Sequence, residues 1–369
     1  MLTKQNNRQS NFELMRIIAM LMIIVSHYTG HGIINFNSDY LSDTVPVINK
    51  ILVPALNAGG SIAVALFFML TGFFLHETQN PKCGRVIIET CFYSILIVAV
   101  YVTAQILRGG VRMSSSSLLT IFGLLFIPIS SNQWWFVTSY VILIFMIPYL
   151  NSFIQKLNRK KFLFLMLISI FFWQTFGFVG RKYEINFYYD LQKPICFYLL
   201  GAYISKYLSK PLKSFYFLFL AFVLWTIYGI AKYIFVMQTT PNEIVFLLFG
   251  LGRILLKGWI EPLIAFCFFM FFYGLDLKTK PIINRISLTT FGIYLIHENV
   301  FIRNILWNGI FHAYEWYKSP FLIVNVLTSS LIVFVFCSAI DFLRIKTFEQ
   351  KILRFIDKKI IGKLIGECK

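Results

Sequence analysis

The stretch FELMRIIAMLMIIVSHY, residues 12–28, is an apolar run with three charged or titratable interruptions, at Glu13, Arg16 and His27. Such a run predicts a membrane-spanning helix, because a span needs about 20 mostly apolar residues. Arg16 and His27 stand eleven residues apart, and that separation returns an α-helix to within about 20° of the same face, about 16 Å further along. The helix therefore presents a cation and an imidazole on one stripe, which His31 continues.

The stripe has two interpretations. Ionisable groups inside a bilayer are costly and usually face a cavity or a partner. Arg16 and His27 are therefore candidates for a functional pair. A snorkelling arginine next to a histidine that only satisfies its own hydrogen bonds is the plainer alternative.

The composition of the whole chain is typical of a membrane protein. Of its 369 residues, 58% are hydrophobic and only 14% are charged, and the mean hydropathy is +0.71. Soluble proteins average about 25% charged residues. The net charge of +18 is better explained by basic cytoplasmic loops than by nucleic acid. We predict an all-α, polytopic integral membrane protein that binds no nucleic acid.

Apolar stretches along the chain predict about ten spans. They lie at 14–34, 58–77, 86–107, 133–154, 162–180, 190–208, 214–236, 257–275, 287–308 and 320–342. With the N-terminus inside, about 23 of the 34 Lys and Arg residues fall on the cytoplasmic side, which predicts that both termini are cytoplasmic. We divide the chain into a transmembrane domain at 1–345 and a basic, amphipathic cytoplasmic tail at 346–369.

The six cysteines are scattered without Cys-x-x-Cys spacing. This pattern argues against a disulfide framework and against a zinc site. We therefore expect no metal site.

Two stretches are candidates for lining a substrate passage. The Thr71-Gly72 pair, in the Phe-rich run 67–75, lets a neighbouring helix approach closely, and helix packing is its plainer interpretation. Trp135 opens the fourth predicted span within an aromatic cluster, which an interfacial aromatic belt would also explain.

Two polar groups are candidates for chemistry. Lys82 and Arg85 lie in a short inner loop before the third span, where they could hold phosphates or act only as topology signals. His297, Glu298 and Arg303 form a polar cluster in the apolar ninth span, which is either a functional site or a buried ion network.

Together these residues resemble acyltransferase family 3, membrane proteins that acylate sugars of cell-surface glycans. Arg16 and His27, with ten residues between them, are similar to the family's Arg-x10-His motif. The run 67–75 resembles its Phe-Phe-x-x-Ser-Gly-Phe motif, with Thr71 in the serine position. Three further stretches resemble other signatures of the family: Trp135-Phe136, Leu199-Leu200-Gly201 and Tyr294-Leu295-Ile296-His297.

The chain departs from the family pattern at two places. Where many members have paired arginines before the third span, this chain has Lys82 and Cys83 ahead of Arg85. Many members place an acid just before the Tyr-Leu-x-His run, but here that position is Gly292, and Glu298 is the nearest acid.

The resemblance implies a membrane O-acyltransferase of the bacterial plasma membrane. It would move an acyl group, acetyl by default, from cytoplasmic acyl-CoA to a sugar hydroxyl of an extracytoplasmic or lipid-linked polysaccharide. Acetyl-CoA would be a donor substrate rather than a bound cofactor. The implied partners are the glycan acceptor, membrane lipid and proteins of glycan synthesis.

The resemblance also implies residue roles. His27 would act as general base, because a neutral imidazole titrates near the working pH, and His297 would be a second catalytic candidate. Arg16 would hold the donor's pyrophosphate, oriented by Glu13 across one helical turn. The remaining candidates are Lys82 and Arg85 for the donor and Thr71, Gly72, Trp135 and Glu298 for the substrate passage.

Transport is the competing class of function. Ten spans with intramembrane charges also fit an exporter of polysaccharide or oligosaccharide. Against this interpretation, the chain shows no pair of inverted halves with broken helices, and the candidate phosphate-binding residues cluster at one face.

Overall fold

A computed structural model describes residues 8–35, 44–107, 115–130, 133–182, 187–237 and 259–349. All regular elements in these ranges are helical, which confirms the all-α class. The α-helices are α1 (Ser10–Thr29), α2 (Val47–Leu75), α3 (Gly84–Leu107), α4 (Ser115–Phe126), α5 (Trp135–Ile154), α6 (Arg159–Lys182), α7 (Phe187–Tyr207), α8 (Ser214–Met237), α9 (Glu261–Gly274), α10 (Pro281–Ile286), α11 (Thr290–His297), α12 (Val300–Asn304), α13 (Ala313–Trp316) and α14 (Leu322–Arg344).

Six helices of the described part are long and apolar enough to cross a membrane. They are Ser10–Ile34, Val47–Leu75, Gly84–Leu107, Trp135–Ile154, Ser214–Ile234 and Leu322–Glu349. This finding confirms a polytopic membrane protein, while the count of ten spans and the cytoplasmic termini stay predictions. The tail at 346–369 lies outside the described residues from 350 onwards.

Helix α1 is central in the fold and runs antiparallel to α2. At one end of the pair, the Phe12 and Phe73 rings lie 5.0 Å apart. Near the other end, the Ser26 hydroxyl donates to the Asn57 carbonyl at 2.7 Å. Helix α1 also packs against α9, α10, α11 and α14, so the polar stripe on α1 faces protein and not lipid.

Helix α2 begins eleven residues earlier than the predicted span at 58–77, at Val47. The polar residues near its start suggest a loop in the sequence, but Asn49 forms side-chain hydrogen bonds within the protein. The Asn49 side chain donates to the carbonyls of Tyr317 and Ser319, both at 2.8 Å. Tertiary hydrogen bonds therefore allow a buried polar turn to precede the apolar part of the helix.

The predicted ninth span at 287–308 is not one continuous α-helix. A short 3₁₀ turn (Ser287–Thr289) leads into α11, which ends at His297, and α12 starts anew after Asn299. Asn299 has an extended backbone, and its side chain accepts a hydrogen bond from the Phe301 N–H at 3.0 Å. An asparagine in this conformation caps a new helix. Glu298 therefore lies in the short connection between α11 and α12.

The domain boundary predicted at residue 345 falls inside a continuous helical segment. A π-helical turn, Ile345–Glu349, continues directly from α14. Glu349 returns to the body of the protein, where its carboxylate lies 3.2 Å from Arg344 and 3.0 Å from Arg85. The first residues of the predicted tail therefore belong to the packed domain.

Candidate active site

A cavity of about 840 Å³ lies among α1, α2, α3, α5, α7 and α11. Its volume is within the range of small-molecule sites. Basic side chains line it near the start of α1, and His27 lines it near the end of the same helix. The cavity therefore extends from Arg16 to His27, the two residues that define the predicted stripe.

Glu13 organises the basic end. Its buried carboxylate accepts hydrogen bonds from Arg16 at 3.1 Å, from Arg8 at 3.3 Å and from the Ser287 hydroxyl. Both arginines line the cavity, and Glu13 lies behind them. Two cations against one carboxylate leave this wall positively charged, with the guanidinium of Arg16 held in a defined orientation.

Lys82 and Arg85 line the same end of the cavity. They come from the loop and the first turn that join α2 to α3, so the antiparallel arrangement of α1 and α2 brings them beside Arg16. Arg85 also contacts Glu349, with Nε 3.0 Å from the carboxylate. The predicted cluster of donor-binding cations is thus assembled in space.

Mostly apolar side chains line the middle of the cavity: Met20, Ile23, Val64, Phe67 and Leu70. Thr71 also lines it, although its hydroxyl donates back to the Phe67 carbonyl at 2.9 Å. Trp135 lines it as well, next to Phe136, whose ring packs 5.7 Å from that of Tyr294. This aromatic cluster faces the cavity and is more than a lipid-facing belt.

Gly72 does not line the cavity, contrary to its prediction as a substrate-passage residue. It faces α7, where an added Cβ would lie 2.0 Å from the Tyr198 carbonyl oxygen. Gly201 of α7 makes the reciprocal approach, with 2.0 Å between its added Cβ and the Met69 carbonyl oxygen. The two glycines therefore let α2 and α7 pack backbone to backbone.

A polar triad interrupts the apolar wall of the cavity. Lys193 Nζ donates to the Ser61 carbonyl at 3.1 Å and to the Ser61 hydroxyl, and it lies 3.1 Å from the Glu261 carboxylate. The Ser61 hydroxyl also donates to Glu261. Ser61 and Lys193 line the cavity, and both charged residues are buried.

The antiparallel packing of α1 and α2 gives the position of this triad relative to His27. Asn57 pairs with Ser26, the residue before His27. Ser61 follows Asn57 by one turn of α2, toward the end that packs on the start of α1. The triad therefore lies about one turn from His27, on the side of the basic end.

His27 is held in one tautomer by His297. The Nδ1 of His297 lies 2.6 Å from the Ile293 carbonyl, so it must be the N–H donor. The Nε2 of His297 is then an acceptor, and it lies 2.9 Å from His27 Nδ1, which must donate. In the neutral form, His27 therefore carries its lone pair on Nε2.

Glu298 completes the cluster around His27. Its Oε2 lies 3.0 Å from His27 Nδ1, and its Oε1 lies 3.1 Å from His31 Nε2 and 3.5 Å from Arg303 Nη1. The carboxylate is buried, whereas the two histidines are partly exposed. A carboxylate beside an imidazole stabilises the protonated ring, as catalytic acid–histidine pairs do.

Gly292, which stands where many family members have an acid, lies against the acidic side chain of Asp341. A Cβ at this position would lie 2.2 Å from the Asp341 carboxyl group of α14. Asp341 accepts hydrogen bonds from Tyr93 at 2.7 Å and Arg344 at 2.6 Å, and it does not line the cavity. The acid that contacts His27 is instead Glu298, which directly follows His297 in the chain.

The structure thus brings most of the predicted site residues together. His27, Arg16, Lys82, Arg85, Thr71 and Trp135 line one cavity, and Glu13, His297 and Glu298 support the residues that do. Sequence reasoning missed the triad of Ser61, Lys193 and Glu261. A signal existed, because Lys193 and Glu261 are charged residues within predicted spans, as Arg16 is.

A comparison with protein families matches residues 9–340 to the acyltransferase domain of family 3. The match covers nearly the whole chain, including the His27 cluster and all of the cavity lining except Arg8. The chain belongs to acyltransferase family 3. Membership of acyltransferase family 3 supports an acyltransferase activity in a membrane protein. No curated protein and no solved structure matches the chain.

Proposed function

We propose that this family 3 acyltransferase transfers an acyl group, acetyl by default, from cytoplasmic acyl-CoA to a sugar hydroxyl. The acceptor is an extracytoplasmic or lipid-linked polysaccharide. The enzyme works in the bacterial plasma membrane, with about ten spans and both termini in the cytoplasm. One observation carries the proposal: a single cavity joins a cluster of cations to a tautomerically defined histidine.

The donor occupies the cavity along α1. Its phosphates meet Arg16, Arg8, Lys82 and Arg85, because guanidinium and ammonium groups bind phosphate through charge-assisted hydrogen bonds. Its pantetheine arm follows the mostly apolar middle of the cavity. Arg16 and His27 are separated by about 16 Å along the helix, so the donor's phosphates and its thioester occupy different ends.

Acyl transfer begins when the sugar oxygen attacks the thioester carbonyl carbon. His27 Nε2 removes the hydroxyl proton, and Glu298 stabilises the imidazolium that forms. The tetrahedral intermediate then collapses, the carbon–sulfur bond breaks, and the departing thiolate takes the proton from His27. The products are the sugar ester and free CoA.

Lys193 and Ser61 stabilise the oxyanion of the intermediate. They line the cavity about one turn from His27 on the donor side, where the thioester carbonyl reaches. A buried ammonium is effective there, since a fixed positive charge in a low-dielectric site stabilises developing negative charge strongly. Glu261 orients Lys193 before the donor binds.

The test compares surface glycan from cells with the intact gene, with a deletion and with His27→Ala. Alkali-released acetate and succinate are measured on purified glycan, with His76→Ala as the control for loss of a histidine outside the cavity. We expect normal amounts of glycan that lack one ester in the deletion and in His27→Ala, with His76→Ala unchanged. Normal esterification by a membrane-inserted His27→Ala protein would contradict the proposed base.

The same experiment separates transfer from export. An exporter would leave the deletion strain without surface glycan and with glycan material accumulated inside the cell. The amount of glycan, measured separately from its ester content, therefore decides between the two classes.

A further inference from the structure

We propose that His27, His31 and Glu298 form a binding site for a divalent transition-metal ion, and that the bound ion inhibits acyl transfer. One ligand atom from each residue lies within 4.8 Å of the other two. Two imidazoles and one carboxylate are a ligand set that suits Zn²⁺ and similar ions. The inhibition rests on the proposed role of His27, but the binding does not.

Metal binding requires only small movements of the ligand atoms, since Glu298 Oε2 lies 3.0 Å from His27 Nδ1 and Glu298 Oε1 lies 3.1 Å from His31 Nε2. Tetrahedral Zn²⁺ with bonds of about 2.1 Å separates its ligand atoms by about 3.4 Å. His27 and His31 are partly exposed, with side-chain exposures of 19% and 21%, so they have room to rotate and an ion can reach them. His31 follows His27 by four residues, in the π-helical turn Gly30–Ile34 that continues α1, and the two ring centroids lie 5.3 Å apart.

One buried carboxylate oxygen in this cluster has an ion-pair contact with His27 but lacks a well-aligned hydrogen bond. Glu298 Oε2 accepts no well-aligned hydrogen bond among the described residues, although its side chain is 9% exposed and lies 3.0 Å from His27 Nδ1. Buried carboxylate oxygens normally accept well-aligned hydrogen bonds. A metal ion between Glu298 and the two rings would coordinate this oxygen in place of such a bond.

His297 has the orientation of a fourth ligand. Its Nε2 faces the cluster, 2.9 Å from His27 Nδ1, while its Nδ1–H donates to the Ile293 carbonyl. Metal-bound histidines typically donate their other ring N–H to a carbonyl or carboxylate, which fixes the ring and raises its basicity. Arg303 opposes binding, because its guanidinium lies 3.5 Å from Glu298 Oε1.

Binding at Nδ1 removes the base. A neutral imidazole that coordinates a metal through Nδ1 carries its only proton on Nε2. The His27 Nε2 lone pair is then no longer present to accept the proton of a sugar hydroxyl. The ion also occupies the Glu298 carboxylate that would stabilise the imidazolium, so both parts of the acid–base pair are blocked.

The experiment titrates Zn²⁺ into the purified full-length protein in detergent and measures heat of binding. His31→Gln removes one ligand, and His76→Gln removes a histidine outside the cluster. We expect one Zn²⁺ per chain, a Kd at least about tenfold weaker in His31→Gln, an unchanged Kd in His76→Gln and a tighter Kd in Arg303→Gln. No stoichiometric binding, or equal affinity in His31→Gln and the wild type, would overturn the site.

Transfer is then measured with and without Zn²⁺, and each variant is compared with its own metal-free rate. We expect Zn²⁺ to inhibit the wild type, a chelator to restore its activity, and His31→Gln to need a higher Zn²⁺ concentration for the same inhibition. Binding without inhibition of an active enzyme would overturn the inhibitory role. Binding by a protein that transfers no acyl group would instead contradict the proposed function and leave the metal site standing.

Discussion

At the scale of single residues, the proposed chemistry depends on how His27 is held. A histidine is an effective base only if its lone pair faces the substrate. Two consecutive hydrogen bonds, from His297 to the Ile293 carbonyl and from His27 to His297, put that lone pair on Nε2. Glu298 lies beside the proton-bearing nitrogen, so charge on the ring is stabilised from behind.

Glu298→Gln should reduce turnover without weakening donor binding. The substitution keeps the size of the side chain but removes the negative charge that stabilises the imidazolium. We expect kcat to fall by roughly 10²- to 10⁴-fold, with the KM for acyl-CoA nearly unchanged. Steady-state kinetics on purified protein measures both, and Glu315→Gln, at an exposed carboxylate, is the control. A large rise in KM with normal kcat would place Glu298 in substrate binding instead.

Lys193 should affect the same step through the oxyanion. Lys193→Met alone would leave Glu261 as a buried unpaired charge, which is strongly destabilising, so the informative variant is Lys193→Met with Glu261→Gln. We expect this pair to insert normally and to lose about 10²- to 10³-fold in kcat, with the KM for acyl-CoA nearly unchanged. Full activity in the double variant would exclude an electrostatic role for the triad.

At the scale of helices, two local features build the site. The break at Glu298 and Asn299 lets α11 deliver His297 and Glu298 from the same end of one short helix. The close packing of α2 on α7 brings Ser61 and Lys193 together across the cavity wall. Both features depend on backbone geometry and are hard to see in a run of apolar residues.

Gly72→Ala should destabilise the packing of α2 against α7. The new methyl group would start 2.0 Å from the Tyr198 carbonyl, so the two backbones must separate. We expect the free energy of unfolding to fall by about 1–3 kcal/mol, measured by thermal or denaturant unfolding in detergent. Gly309→Ala is the matched control, since its nearest neighbour would be 3.8 Å away. Equal stability of the two variants would show that the close approach is not required.

At the scale of the whole molecule, charge and apolar surface divide the cavity into regions. Cations from α1 and from the connection between α2 and α3 meet at one end, and the His27 cluster lies at the other. A long donor with a charged head and a reactive tail fits this division. In the proposed reaction, binding energy at the head would position the thioester.

Arg16→Ala should weaken use of the donor. Glu13 keeps Arg8 and Ser287 as partners in this variant, so the fold is expected to persist. Loss of a charge-assisted contact of about 1.5–3 kcal/mol should raise the apparent KM for acyl-CoA about tenfold or more, with a small change in kcat. Titration of acyl-CoA at fixed acceptor measures this, and exposed Arg285→Ala is the control. An unchanged KM would remove Arg16 from the donor site.

The class of the protein and many of the candidate site residues follow from the order of its amino acids. Apolar runs of membrane length require helices, because backbone polar groups in lipid must be satisfied within the segment. The eleven-residue spacing of Arg16 and His27 was sufficient to place them on one face, since a helix has a fixed period. The candidate cations and His297 were visible as charged or titratable residues in or beside apolar runs.

Which of these groups contact each other depends on the packing of distant helices. Glu298 contacts His27 across 271 positions of the chain, and Lys193 reaches Ser61 from a different helix. Gly72 proved to be a packing residue because its position faces α7, a direction that local spacing does not specify. Helical periodicity fixes the face of a residue on its own helix, but the partner of that face depends on how distant helices pack.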